Sequence, residues 1–432
     1  MRSAIRRLFN MNECSRPLDG IKVLDMTQAL AGPICTCILA DYGATVYKVE
    51  GTRNPDMTRG KNYNPDVPCD VEVGGDNFYA INRNKYGISI DNRSETGKEV
   101  LRRLAANVDI VISNYRPGVT KKIGIDYDTL KEINPAIICC EISAFREKER
   151  ESEPAFDVVI QAASGILAST GYPDQPPAKV GASITDMSAG LNAVQGILMA
   201  LIQRQKTGRG QFVDVRMQDA AMFMLSQYAT PCIMDPEFDL GRNGMCHVEA
   251  TPSNGYKTAD GYILTTPATD SLFAKFCEVL GMPEVSCDER FVNGAARLQN
   301  RMVLDELISS KMVEKTTSEW FRLLKSAGLP ASPIETPKQA FRKAYEEQSP
   351  IIATVEHPIQ GPMPVIGTVC ELSETPPRVT RRAPCLGENT RDVLKNIAGY
   401  SDAEIDEMEK LHAVRCYKGT AADQKLKIRM EK

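Results

Sequence analysis

Short apolar segments alternate with helix-like segments through the first 143 residues, and few folds accept that rhythm. Ile21–Asp25 reads as a strand, Ile34–Tyr42 as a helix and Ala44–Glu50 as a second strand. A helix follows from Thr96 to Ala106, with Ser94 and Glu95 suited to its start, and then a strand at Asp109–Asn114. A helix from Asp128 to Ile133 ends before Pro135, and Ala136–Ser143 is a largely apolar strand. Apolar strands spaced by helices predict a parallel sheet covered on both faces, hence an α/β fold.

Further along, a long apolar helix runs from Asp186 to Lys206 and stops at the glycine-rich Thr207–Gly210. Phe212–Arg216 is a strand, and the Met/Ala-rich helix after it reads as core filler. Residues 231–260 turn rich in Pro, Gly and Asn, and Lys257–Leu264 carries the Asp-Gly turn of a hairpin. Helical patterns cover Ser271–Leu280 and Leu298–Lys325, and Pro330, Pro333 and Pro337 mark a link. Short strands are expected at Ile351–Val355 and Val365–Val369, then two helices, the second opened by the capping pattern Ser401–Glu404. The expected layout is a disordered extension over 1–15, a large α/β domain over 16–224, a smaller α+β domain over 225–330, and a linker plus C-terminal part over 331–432 that completes the large domain.

Composition narrows the function. With 432 residues the chain is too long for one simple core. A net charge of -4 argues against nucleic-acid binding by bulk charge, so an anionic ligand needs a local cluster of Arg and Lys. The most apolar run, Gly196–Ile202, is far too short to span a membrane. The thirteen cysteines show no Cys-x-x-Cys pair, which points to a reducing compartment and away from zinc. Met1–Phe9 is basic and acid-free. It reads as a disordered extension of a cytoplasmic protein; as a targeting peptide it would direct the chain to the mitochondrial matrix.

Only three histidines are present, His247, His357 and His412, none near the acidic centre of the chain. Ser-His-Asp and Cys-His chemistry is therefore disfavoured, and a carboxylate becomes the natural nucleophile. Asp186, within Ala182–Gly190, stands at the head of the long helix. Its residue type fits a helix cap as well as a nucleophile, and position alone leaves both open. The turn Thr27–Pro33 lacks the glycine fingerprint of nicotinamide and flavin sites, and no Walker A sequence occurs.

Eight fragments in order resemble the class III coenzyme A transferases, a family that includes formyl-CoA transferase, carnitine CoA-transferase and α-methylacyl-CoA racemase. They are Pro17–Asp25, Ala31–Pro33, Gly43–Glu50, Asn82–Lys85, Asn114–Gly118 with Gly124, Gln161–Gly165, Lys206–Gln211 and Leu386–Glu388. The resemblance spans about Pro17 to Lys410. It implies a Rossmann-like parallel-sheet domain plus a smaller α+β domain, in an interlocked homodimer. It also implies transfer of CoA from an acyl-CoA to a free carboxylic acid, with no permanent cofactor, no metal, no nucleic acid and no membrane.

On this resemblance Asp186 is the nucleophile, forming an aspartyl anhydride and then an aspartyl-CoA thioester. The start of the helix is expected to favour its anionic form. Asp157 takes either a supporting catalytic role or a structural ion pair. Leu30 and Ala31 pack beside the pantetheine arm. Arg59, Ile90 to Arg93, Asn114, Tyr115, Arg116 and Lys122 fall at CoA-contact positions, each with the plain alternative of a solvated surface residue. Gly241 and Gly244 are what remains of a mobile glycine-rich loop over 241–251. Phe145–Glu153 replaces another glycine loop with a charge run. Racemases of the family carry histidine where Phe156 stands, and phenylalanine moves no proton. The competing functions are a 2-methylacyl-CoA epimerase and an inactive acyl-CoA-binding paralogue.

Overall fold

The computed structural model describes residues 16–60, 62–63, 69–150 and 153–419; the expected extension over 1–15 lies outside them, as do two residues of the 145–153 loop. Two compact units are formed. One takes residues up to 164, 181–225 and those from 348 onward, and the other takes 165–180 and 226–347.

The first unit opens with β1 (Lys22–Met26), α1 (Ala31–Asp41), β2 (Thr45–Glu50), α2 (Asp76–Asn82), β3 (Tyr86–Ile90), α3 (Glu95–Ala106) and β4 (Ile110–Ser113). It continues with α4 (Val119–Ile123), α5 (Tyr127–Ile133), β5 (Ile138–Ser143), α6 (Asp157–Ala163), α7 (Ile184–Thr207), β6 (Phe212–Arg216) and α8 (Met217–Phe223). The second unit contains α9 (Ser226–Met234), β7 (Asn254–Lys257), β8 (Tyr262–Thr265), α10 (Asp270–Leu280), α11 (Gly294–Gln299), α12 (Arg301–Met312), α13 (Thr317–Ser326), β9 (Ala331–Pro333) and α14 (Pro337–Glu346). The chain then returns to the first unit with β10 (Ile352–His357), β11 (Gly361–Ile366), α15 (Thr390–Asn396), α16 (Asp402–Lys410) and β12 (Val414–Arg415).

The α/β reading of the sequence is matched by a seven-stranded sheet in the order β12-β3-β2-β1-β4-β5-β6. Its strands run parallel except β12, which pairs antiparallel with β3. The inner strands are buried because helices cover both faces, so Val23, Leu24, Ile88 and Ile112 lose all solvent contact, whereas edge strand β6 buries only Val215. The polar exception on β1 is Asp25, fully buried and paired with Lys85 at 3.1 Å. Asp25 also accepts the hydroxyls of Thr27 and Thr36. That network anchors the turn after β1, where the cleft described below begins.

The expected string lacks α2, β3, α4, α6, α9, β9 and β12, and the strand it places at Val365–Val369 is β11, Gly361–Ile366. β3 is missing because Gly87 and Ser89 break the apolar run of Tyr86–Ile90. The helix expected over 298–325 is three helices, since Thr316 caps a new one with a capping box to Glu319. The stretch around Pro337 forms α14, with Thr336 as cap and Pro337 in its first turn, a position proline favours.

Candidate active site

The head of α7 is capped from outside its own chain segment. Ser183, at the cap position, makes no side-chain cap. Asp157, the first residue of α6, supplies one: its Oδ1 accepts the Thr185 N–H and hydroxyl, both at 2.8 Å, and lies 3.4 Å from the Asp186 N. Gln161 holds the other oxygen of Asp157 at 2.6 Å. Among the described residues Asp157 forms no ion pair; it caps a neighbouring helix.

Asp186 lies in the first turn of α7 and is half-buried. Among the described residues none hydrogen-bonds its carboxyl group. Burial and, second, the charge of Asp157 raise its pKa from 3.8 to about 7. This reverses the expectation that the helix start keeps the group anionic. The Thr185 and Asp186 amides are turned toward Asp157 instead, and burial disfavours the charged form.

The helix carrying Asp186 is set close against α1. A Cβ on Gly190, one turn after Asp186, would stand 2.3 Å from Cγ2 of Ile34 and 2.7 Å from the carbonyl oxygen of Ala31. Glycine at 190 is what lets α7 approach the start of α1 this closely.

A cleft of about 260 Å³ opens at the carboxyl ends of the central strands. It is lined by Thr27 and Gln28 after β1, Glu50 to Asn54 after β2, Asp91 to Arg93 after β3, and Tyr115 after β4. Between β1 and β4 the strand order reverses direction, which is where open parallel sheets hold their ligands. Arg53 and Arg93 are exposed cations in the lining, beside the amides of Gln28, Asn54 and Asn92. Tyr115 accepts from Asn92 at 3.4 Å. The set suits an elongated ligand with anionic groups.

The expected site residues divide among several places. Arg93 and Tyr115 line the cleft, and Asn114 borders it by exchanging two hydrogen bonds with the backbone of Gln28, at 2.9 and 2.8 Å. Ile90 is buried beneath it. Leu30 precedes α1, and Ala31 begins it against Gly190. Arg116 and Lys122 are exposed outside the cleft lining.

Arg59 is a correction. It is fully buried, its three guanidinium nitrogens donate to Glu50 and to the carbonyls of Glu72, Val73 and Pro384, and Phe78 stacks on it at 3.8 Å. It has no donor to offer a phosphate and instead braces the loop that carries Arg53. Arg53 itself escaped the sequence reading. The available signal was a cation in the turn directly after a strand, at the sheet edge where ligands collect.

Gly241 and Gly244 fall in the second unit, both with φ +60. Their segment is tied down there: Gly244 N–H donates to Gly171 at 2.8 Å, and Arg242 donates to the carbonyls of Tyr172 and Pro173. Phe156 is 62% exposed, immediately before Asp157.

The model of CoA-transferase family III matches residues 18–390 of the sequence. The chain belongs to CoA-transferase family III. It is 33% identical over 396 residues to succinyl-CoA:glutarate CoA-transferase of Homo sapiens, covering 91% of this chain and 89% of that one. It is 32% identical over 411 residues to succinyl-CoA--D-citramalate CoA-transferase of Chloroflexus aurantiacus, covering 93% and 98%. The solved structure of a CAIB/BAIF family protein from Brucella suis matches with a TM-score of 0.78 at 32% identity, covering 89% of this chain and 100% of that one. The protein is thus a CoA-transferase, an enzyme that moves CoA from an acyl-CoA to a free carboxylic acid. Among the described residues of this transferase no cluster fit to hold a metal ion occurs, and no helix is long and apolar enough to cross a membrane.

Proposed function

We propose that Asp186 is the covalent nucleophile of this CoA-transferase and that the cleft at the strand ends takes the CoA moiety. The observation that carries the reading is the half-buried Asp186 carboxyl group, without a hydrogen-bond partner among the described residues, whose pKa is raised to about 7. A carboxylate so poorly solvated gains by bonding to carbon, and it ionises within the working pH range.

The steps balance without any outside reactant. The Asp186 carboxylate attacks the donor thioester carbonyl, the C–S bond breaks, and an aspartyl anhydride and CoA thiolate result. The thiolate attacks the aspartyl carbonyl, releasing the donor acid and leaving aspartyl-CoA. The acceptor carboxylate then attacks aspartyl-CoA, forming a second anhydride and expelling the thiolate. Attack of the thiolate on the acceptor's own carbonyl yields the new acyl-CoA and frees Asp186. Asp157 holds the head of α7 in place, and its charge keeps Asp186 from ionising too readily. Arg53 and Arg93 pair with the CoA phosphates. Arg59 acts only by bracing the Arg53 loop. Phe156 supplies no proton carrier, which favours transfer over epimerisation at this site.

The names of the relatives point to succinyl-CoA as donor and a small dicarboxylic acid as acceptor. A second copy of the chain covers the apolar stripe of α7, where Leu191, Leu198, Met199 and Ile202 stand 54%, 36%, 57% and 48% exposed. Twelve described cysteines are free, which suits a reducing compartment such as the cytoplasm.

The test combines turnover and trapping. Succinyl-CoA and isotope-labelled glutarate or oxalate should give labelled CoA thioester. Hydroxylamine added during turnover should leave a hydroxamate on residue 186, read by mass spectrometry. Full exchange activity in Asp186→Ala would end the proposal.

A further inference from the structure

We infer that Lys48 and Asp56 are positioning residues for acyl-CoA capture: their buried ion pair fastens together the two loops that face each other across the cleft. The inference rests on the reading that this cleft holds CoA.

Lys48, on β2, is fully buried and donates to the carboxylate of Asp56 at 2.8 Å and to the carbonyl oxygen of Thr27 at 2.5 Å. Thr27 belongs to the loop after β1, and Asp56 to the loop after β2 that carries Arg53. One ammonium therefore spans both walls. Asp56 closes the link from its own side. Its other oxygen accepts the N–H of Ala29 at 3.3 Å and the N–H and hydroxyl of Thr58 at 3.0 and 2.8 Å.

Ala29 shows what the link holds. Its φ is 65, the left-handed region that alanine seldom occupies. Residues kept there are over-determined by their surroundings, and such sites cluster where ligands bind. The base of the same loop is fixed separately, through the Thr27 N–H to Asp25 at 3.0 Å.

Stability alone gives little reason for this pair. Buried ion pairs are matched or exceeded in stability by apolar residues of the same shape. What an apolar pair lacks is direction: it would not define the spacing of the Thr27 carbonyl, the Ala29 amide and the Arg53 loop. That spacing sets which groups reach the ligand.

The test uses the full-length enzyme and the double variant Lys48→Met/Asp56→Asn, which removes both charges and leaves no stranded ion. The expected result is a folded enzyme whose KM for acyl-CoA and calorimetric Kd for free CoA rise on the order of tenfold, while kcat at saturating acyl-CoA holds within about twofold. Asp56→Asn alone, which keeps an acceptor for Ala29 and Thr58, reads the same quantities in a second background and carries the test should the double variant not fold. Unchanged CoA affinity in either folded variant overturns the inference. Arg53→Ala separates the two levels. If it weakens CoA while the Lys48 and Asp56 variants do not, only the positioning role falls; if it also leaves CoA binding unchanged, the cleft reading falls first.

Discussion

Asp157 meets Asp186 in two opposed ways: its carboxylate lies 3.4 Å from the Asp186 backbone nitrogen, and the same charge pushes the Asp186 carboxyl toward neutrality. One residue thus positions the proposed nucleophile and, together with burial, shifts when it ionises. Activity that needs the Asp186 carboxylate should rise with pH through about 7. Asp157→Asn keeps an oxygen for the Thr185 N–H and removes the charge. Its kcat/KM profile is expected to turn up at lower pH than that of the wild type. An unmoved inflection would refute the coupling.

The same group costs stability. Its pKa is raised on folding from 3.8 to about 7, so the folded chain holds this proton more tightly than the unfolded one. The contribution of Asp186 to stability is fullest below about pH 4, declines as pH rises, and is lowest above about 7. Asp186→Asn, a neutral isostere, is expected to stabilise the protein at pH 8 by on the order of 2 kcal/mol and to change little at pH 4. Denaturant titrations at the two pH values provide the comparison.

His357 works in the opposite direction. Burial lowers its pKa below 6.5, and the ring is fixed by the Gly74 carbonyl oxygen at 3.0 Å from Nε2 and by the N–H groups of Ile359 and Gln360 on Nδ1. The unfolded chain takes up this proton first. Stability is therefore complete above about 6.5 and is lost as pH falls from there toward the folded value. His357→Phe should flatten the slope of Tm against pH just below 6.5, beyond its general destabilisation.

Gly190→Ala places a methyl group against Ile34 and the Ala31 carbonyl oxygen. The Ile34 end can yield, but the backbone oxygen cannot. Overpacking is expected to cost about 1–3 kcal/mol. The larger effect should be on kcat, since a shift of ~1 Å at a nucleophile lowers rates on the order of a hundredfold. Ile34→Val in the same background should recover stability more than rate.

Arg53→Ala and Arg93→Ala should each weaken CoA about tenfold, the value of a charge-assisted hydrogen bond. Both losses should shrink at high ionic strength. An acyl-pantetheine, which lacks the nucleotide phosphates, should be turned over equally by both variants and the wild type.

The sheet was readable because β1, β2, β4 and β5 are short, mostly apolar and largely buried, and because Ser94 and Asp126 cap two of the helices between them. β3 was not, because its glycine and serine are chosen for close packing: a Cβ on Gly87 would stand 2.8 Å from Pro384, nearly 300 residues away. Asp186 was singled out by residue type, position and the family resemblance, yet its raised pKa depends on burial and on Asp157, which no local pattern encodes. Arg59 misled for a related reason. An arginine near a binding loop looks the same in sequence whether it faces a phosphate or Glu50.

The sheet's outer strand, β12, comes from residues 414–415, and the hydrophobic core beneath β3 is completed by Leu394, Ile405 and Met408. During synthesis β3 must therefore wait, its edge uncovered, while the whole second unit and nearly all of the remaining chain leave the ribosome. Unpaired edges of this kind invite pairing with other chains. Emerging polypeptide of this transferase has a built-in interval of aggregation risk, and chaperone demand should peak late, just before residue 414 appears.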